Sequence, residues 1–224
     1  MKNIAFLGHS ICCWANYEIF GQKSYIDLVV DHFKFNLVSI GVREGSEERI
    51  LDTLKRLKKV DIAIIFHSRA KCLYIPGCNR DIDLTKFDQT KGHYLYCNQT
   101  INNARLEEEF FSFGNIKEEF KDIDSFLQTI MLYKTHLYSP EIHQNKFYGS
   151  LLQIDQVCKF RNIKCIHVPV TDNIPHWFRF TSGECHPEIQ ELANYYRESG
   201  YPNFINSEGQ SVIAEKLISL IEHL

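Results

Sequence analysis

Four consecutive apolar residues, at positions 4–7, stand almost at the start of the chain, and Gly8 follows them. An uninterrupted apolar run of this length is typical of a strand that is covered on both faces. Gly8 lacks a Cβ atom and so permits a sharp turn at the end of that strand. The pattern therefore predicts a buried first strand whose carboxyl end presents His9 and Ser10.

Apolar runs and amphipathic segments then alternate. Further strands are predicted at residues 35–42 and 60–66, and helices at residues 24–33 and 43–59. Strand–helix units this close together favour a parallel sheet with right-handed crossovers. The predicted fold class is α/β, a three-layer α/β/α arrangement with a flavodoxin-like parallel sheet and helices on both faces.

The helix within residues 43–59 carries clear signals at both ends. Ser46 is a favourable N-cap, and Glu47 and Glu48 fall in the first turn, where they complement the helix dipole. Basic residues occupy the last turn: Lys55, Arg56, Lys58 and Lys59.

An irregular insertion is predicted at about residues 69–115, either as a lid or as a solvent-exposed loop. The alternation of strands and helices continues after it. Helices are predicted at residues 116–138, 147–161, 187–198 and 207–224, and a strand at residues 164–170. Pro140 is expected to break the first of these helices from the second, and Pro169 to mark a strand end or an edge strand. No linker or repeat interrupts the sequence, so a single domain over residues 1–224 is predicted.

Composition narrows the function classes. The 224 residues carry a net charge of −3 and are 44% hydrophobic. Nothing here indicates nucleic acid or a membrane as a partner. The eight cysteines form no CxxC pair, which argues against a zinc ribbon or a redox motif. The start of the chain lacks a signal-peptide layout, so a cytoplasmic location is expected. Neither a cofactor nor a metal is predicted.

Two strands are each followed by a His-Ser pair, His9-Ser10 and His67-Ser68. In a flavodoxin-like strand order the first and third strands are neighbours, and their carboxyl ends lie at one edge of the sheet. The two pairs are therefore expected to face each other across one crevice.

Four segments resemble the SGNH (GDSL-like) hydrolases: FLGHS at residues 6–10, GVREGS at 41–46, VDIAIIFHS at 60–68 and NSEGQSVIAEKL at 206–217. The resemblance covers residues 2–68 and 201–224. It implies that Ser10 is the nucleophile and that Gly45 and the Ser10 backbone N–H bind the oxyanion.

The sequence departs from that family at three points. Residues 67–70 contain no asparagine, so one oxyanion donor is missing, and GHS replaces the usual GDS. The positions that would hold the orienting aspartate and the catalytic histidine are occupied by Tyr201 and Phe204. A serine hydroxyl is a poor nucleophile without a base.

Other histidines are therefore the candidate bases, His186 first and His67 second, with His176 in the same loop as His186. Asp172 or Glu184 is expected to orient one of them. Arg69 is a candidate replacement for the missing amide donor. The remaining candidate ligand-binding residues are His9, Ser68, Arg69, Asp172 and His176.

The sequence predicts a serine hydrolase acting on an ester or O-acyl substrate, with a carbohydrate O-acetyl group compatible with aromatic residues of the insertion such as Tyr94 and Tyr96. The alternative is an inactive protein of the same fold that binds a small polar ligand or a protein partner. Metal-dependent chemistry at His9 and His67 is a third hypothesis, weakened by the lack of carboxylates at the strand ends. The phenylalanines at 110, 111 and 113 fit either a homo-oligomer contact or a buried core.

Overall fold

A computed structural model describes residues 1–8, 10–12, 23–41, 45–68, 72–74, 81–83, 123–169, 174–175, 177–198 and 201–224. Within these residues five strands form one parallel sheet: β1 (Asn3–Gly8), β2 (Asn36–Ser39), β3 (Ile62–His67), β4 (Lys164–Pro169) and β5 (Gly183–Cys185). They lie in the order β2-β1-β3-β4-β5. This is the flavodoxin-like order predicted from the sequence, with the direction of strand addition reversing between β1 and β3.

Six α-helices accompany the sheet in the same part of the chain: α1 (Tyr25–Phe33), α2 (Glu47–Arg56), α3 (Ile123–His136), α4 (Pro140–Phe160), α5 (Pro187–Tyr195) and α6 (Ser207–Glu222). None of the helices so described is long and apolar enough to cross a bilayer.

Alternate residues of β1 enter two different cores. Ile4 and Phe6 pack with α1, α5 and α6, whereas Ala5 and Leu7 pack with α2 and α4. All four side chains are essentially buried, and burial of a large apolar side chain contributes about 1.5–3 kcal/mol. Helices therefore cover both faces of the sheet, which confirms the predicted three-layer fold.

Serine side chains cap the first two helices, and the cap at Ser46 was predicted from the sequence. Ser24 and Asp27 form a reciprocal capping box at the start of α1. Ser46 Oγ accepts a hydrogen bond from the Arg49 N–H at the start of α2. These caps satisfy backbone donors that have no partner inside the helix.

Pro140 begins a helix where the sequence predicted a break followed by a helix from residue 147. It occupies the first turn of α4, and Ser139 Oγ accepts the N–H of Ile142. A proline has no N–H to lose at this position, so it is well tolerated there. The predicted break between the two helices is confirmed at residues 137–139, whereas the predicted start of the second helix at residue 147 was wrong. Pro169 ends β4 as expected.

Several short strands among the described residues have no counterpart in the sequence prediction. One is β5, the polar segment Gly183–Cys185, and Gly183 lies so close to β4 that an added Cβ would be 1.8 Å from the Cys165 carbonyl oxygen. Two others are Arg197–Glu198 and Tyr201–Ile205, which pair with each other antiparallel. The predicted helix at residues 187–198 ends at Tyr195 as a result.

Only two pieces of the predicted insertion fall in the described ranges. Cys72–Leu73 pairs antiparallel with Ile82–Asp83. Next to this pair, the Asp81 carboxylate accepts the Ser46 N–H at 2.7 Å and the Arg49 Nε–H at 2.9 Å. The hairpin predicted near residues 94–97 lies outside the described residues, and so does the first part, up to residue 122, of the helix predicted at residues 116–138.

Candidate functional site

The carboxyl ends of β1 and β3 lie side by side, with Gly8 paired to Phe66. A 3-10 turn, Ser10–Cys12, follows β1 directly. Tyr25 donates its hydroxyl to the Ile11 carbonyl at 3.0 Å, and the Gly41 N–H donates to the Cys12 carbonyl at 2.9 Å. The turn that carries Ser10 is thereby fixed at the switch point of the sheet, where open α/β folds bind their ligands.

Gly8 makes this close approach of the two strands feasible. Its φ of 128° lies in a region that residues with side chains rarely adopt. A Cβ atom at this position would be 2.1 Å from the Phe66 carbonyl oxygen. The sequence prediction of a glycine-dependent turn after the first strand agrees with this geometry.

Gly45 is buried immediately before α2, at the same edge of the sheet. Asp81 holds the following turn through the Ser46 N–H and through the Nε and Nη2 atoms of Arg49. The amino end of a helix carries a partial positive charge, which suits an oxyanion or an acidic group. The position of Gly45 is therefore compatible with the predicted oxyanion role, which stays a prediction.

Glu47 does more than complement the helix dipole, because its side chain is 1% exposed and turns toward β3. Its Oε2 lies 3.0 Å from His67 Nδ1, and its Oε1 accepts the Ser68 N–H at 2.6 Å. One buried carboxylate thus joins the start of α2 to the tip of β3.

His67 continues the contact across the sheet. Its Nε2 lies 2.9 Å from Nδ1 of His167, a fully buried residue of β4. His167 Nε2 lies 3.1 Å from Ser182 Oγ, and Ser182 donates to Asp155 at 2.7 Å. The Phe180 ring stacks on His167 with a centroid separation of 3.7 Å. Burial lowers the pKa of His167 well below its usual value, and the neighbouring His67 lowers it further.

Asp155 lies on α4 and is the last residue in the row of hydrogen-bonded side chains that begins at Glu47. Burial alone would raise its pKa, but the hydroxyls and backbone N–H groups of Thr181 and Ser182 all donate to it and lower the pKa overall. Hydrogen bonds to the charged form outweigh desolvation here.

A lowered pKa means that Asp155 stabilises the fold at pH values above its unfolded pKa of about 3.9, and that this stabilisation is lost as the pH falls through the folded value. We therefore expect urea denaturation to show a shallower loss of stability below about pH 4 in Asp155→Asn than in the wild type. The same acid dependence in both proteins would contradict this assignment.

Ser68 lies at the tip of β3 and is 1% exposed. Its Oγ is buried and has no hydrogen-bond partner among the described residues. A buried hydroxyl without a partner is unusual and calls for an explanation, such as a function at this position.

His186, the first-choice base, lies at the end of β5. Its Nδ1 is 3.0 Å from Glu188 Oε1, and its Nε2 is 3.6 Å from Glu184 Oε2. Burial raises the pKa of Glu188, but the hydrogen bond from His186 is the first of several contacts that lower it overall. Since β5 is the third strand from β1, about 14 Å of sheet separates the ends of these strands.

The remaining predicted site residues, His9, Arg69, Asp172 and His176, lie outside the described residues, and their roles stay predictions. For Ser10 the backbone position alone is described. The sequence analysis missed His167, Ser182 and Asp155. The histidine inside the apolar strand KCIHVP was the available signal, since a buried histidine needs polar partners.

A small cleft of about 20 Å³ opens between the ends of β1 and β2 and α2. It is lined by Leu7, Gly8, Ile40, Gly41, Arg49, Ile50 and Thr53. That volume holds about one water molecule, so these described residues do not by themselves form a substrate-sized pocket.

The described cysteines are free thiols: Cys12, Cys72, Cys158, Cys165 and Cys185. A hydrogen bond with Cys158 and burial raise the pKa of Cys165, and burial raises that of Cys185. A raised pKa keeps a thiol protonated and poorly nucleophilic. Within the same residues, no group of three or more histidine, cysteine or acidic side chains is arranged to hold a metal ion.

Comparison with known proteins identifies no family: no family model matches the chain, and no curated protein matches it significantly.

Proposed function

We propose that the chain is an SGNH-like serine hydrolase that acts on an ester or O-acyl group of a small molecule or glycan in the cytoplasm. The observation that carries the proposal is the register of β1 with β3, Gly8 opposite Phe66, which brings the Ser10 turn beside the buried tip of β3. Ser10 and Ser68 follow these two strand ends, and Gly45 precedes α2, whose Glu47 contacts the tip of β3, which supports the proposal.

The chemistry requires a base and an oxyanion site. Ser10 Oγ adds to the acyl carbon while a base takes its proton, and the former carbonyl oxygen becomes an oxyanion bound by the Ser10 and Gly45 N–H groups. Collapse of this intermediate breaks the acyl–oxygen bond, and the leaving alcohol takes the proton. Water then attacks the acyl-serine while the base takes one of its protons. The Ser10 oxygen leaves and receives that proton, which regenerates the serine and releases the acid.

Two histidines compete for the role of base. His186 has a carboxylate partner on its Nδ1, as a catalytic histidine requires, although about 14 Å of sheet separates the end of β5 from the end of β1. His67 belongs to the strand next to β1, yet both of its ring nitrogens face other partners, Glu47 and His167. Because both ring nitrogens of His67 are engaged, we favour His186 as the base.

A second function, binding without catalysis, is favoured by one specific observation. Because both ring nitrogens of His67 are occupied, the histidine on the strand next to β1 cannot take the Ser10 proton without breaking a buried hydrogen bond. The crevice would then hold a small polar ligand or a partner.

Hydrolysis of p-nitrophenyl acetate distinguishes the two functions. If Ser10 is the nucleophile, Ser10→Ala lowers kcat/KM by about 10³-fold or more, as expected for loss of a covalent nucleophile. The matched control is Ser211→Ala, which removes an exposed serine of α6. Turnover that persists in Ser10→Ala removes Ser10 from the mechanism, and a folded wild type without turnover favours the binding function.

A further inference from the structure

Four hydrogen bonds in line connect two buried carboxylates. They run from Glu47 to His67 at 3.0 Å, to His167 at 2.9 Å, to Ser182 at 3.1 Å and to Asp155 at 2.7 Å. Each hydrogen bond contains one proton, so the line needs four. Ser182 and two neutral imidazoles supply three, because a neutral imidazole carries a single N–H. One further proton must reside in the line.

The far end of the line does not hold this proton. Asp155 accepts four hydrogen bonds, which lower its pKa and keep it ionised. Ser182 therefore donates to Asp155 and accepts from His167 Nε2–H. His167 in turn has its pKa lowered by burial and by His67, and its Nδ1 must accept from His67 Nε2–H.

The near end has the partners that a cation needs. His67 Nδ1 faces the Glu47 carboxylate, whose other oxygen accepts the Ser68 N–H. The ring of Phe180 stacks on the His67 ring with a centroid separation of 4.9 Å, an arrangement that favours a cation over an aromatic face.

We propose that His67 is held as an imidazolium between Glu47 and His167, and that this buried ion pair positions the tip of β3 against the amino end of α2. His67 is thus a positioning residue. Its protonation state is independent of the proposed hydrolase function, and only its influence on chemistry at Ser10 rests on that function.

Among the described residues, the titratable side chains that contact His67 are Glu47 on α2 and His167 on β4, and Asp155 on α4 lies beyond Ser182. The other charged residues of the first turn of α2 are paired elsewhere, Arg49 with Asp81 and Glu48 with Lys146.

Two isosteric variants each remove one carboxylate charge, but only one of them removes the need for the fourth proton. In Glu47→Gln, the amide donates to His67 Nδ1 and accepts the Ser68 N–H, so all four bonds form with a neutral His67. In Asp155→Asn, the carbonyl oxygen still accepts from Ser182 and the amide faces the Thr181 hydroxyl, so Glu47 still requires the fourth proton.

Ring ¹⁵N NMR of the full chain at about pH 8, above the ordinary titration range of histidine, tests the proposal. The expected result is that both His67 ring nitrogens carry protons in the wild type and in Asp155→Asn, whereas Glu47→Gln shows one protonated nitrogen. A neutral His67 in the folded wild type overturns the proposal. This readout needs no enzymatic activity, so a failure of the hydrolase proposal leaves it unaffected.

Discussion

His67→Leu is expected to lower the free energy of unfolding by about 3–5 kcal/mol, the usual cost of removing one partner of a buried ion pair. The substitution leaves the Glu47 carboxylate 1% exposed with one oxygen unpaired. It also removes the partner of Nδ1 of the buried His167. Urea denaturation at about pH 7 gives the value.

The control for this substitution is His32→Leu on α1. That histidine is exposed, and its Nε2 lies 3.9 Å from Glu222. Exposed ion pairs contribute little, so a change within about 0.5 kcal/mol is expected. Similar small effects of both substitutions would show that Glu47 and His67 are not a coupled buried pair.

Gly8→Ala is expected to destabilise the fold by about 3 kcal/mol or more. The backbone at φ 128° disfavours alanine, and the new methyl group would overlap the Phe66 carbonyl oxygen at 2.1 Å. Relief requires β1 and β3 to separate, which also displaces the Ser10 turn. Both stability and any ester turnover should therefore fall together.

Gly149→Ala is the matched control for that experiment. Gly149 lies inside α4, and an added Cβ would meet nothing within 4 Å. Alanine has the higher helix propensity, so stability should rise by about 0.5–1 kcal/mol. A Gly8→Ala protein as stable as the wild type would contradict the described approach of β1 to β3.

The sheet could be predicted because its central strands are continuous apolar runs. Residues 4–7 and 62–66 have no polar interruption, and helical periodicity between them implies parallel crossovers. β5 escaped prediction because Gly183–Cys185 is short and polar, and a single ladder with β4 defines it. α4 was shortened because Pro140 suggested a break, whereas proline also begins helices.

The candidate site was harder to predict, because its contacts join residues far apart in sequence. The preference for acidic residues in the first turn of a helix placed Glu47 correctly in α2. It gave no indication of its partner His67, which lies 20 residues away on β3. His67 and His167 are 100 residues apart. Strand order brings them together, and no local pattern encodes that pairing.

Labelling with a fluorophosphonate, followed by peptide mass spectrometry, tests the central claim most directly, since the reagent modifies only an activated serine. The account predicts an adduct on Ser10 in the wild type and in Ser211→Ala, and none in Ser10→Ala. A folded wild-type protein that takes no label, or takes it only at another residue, would contradict the claim that Ser10 is a nucleophile.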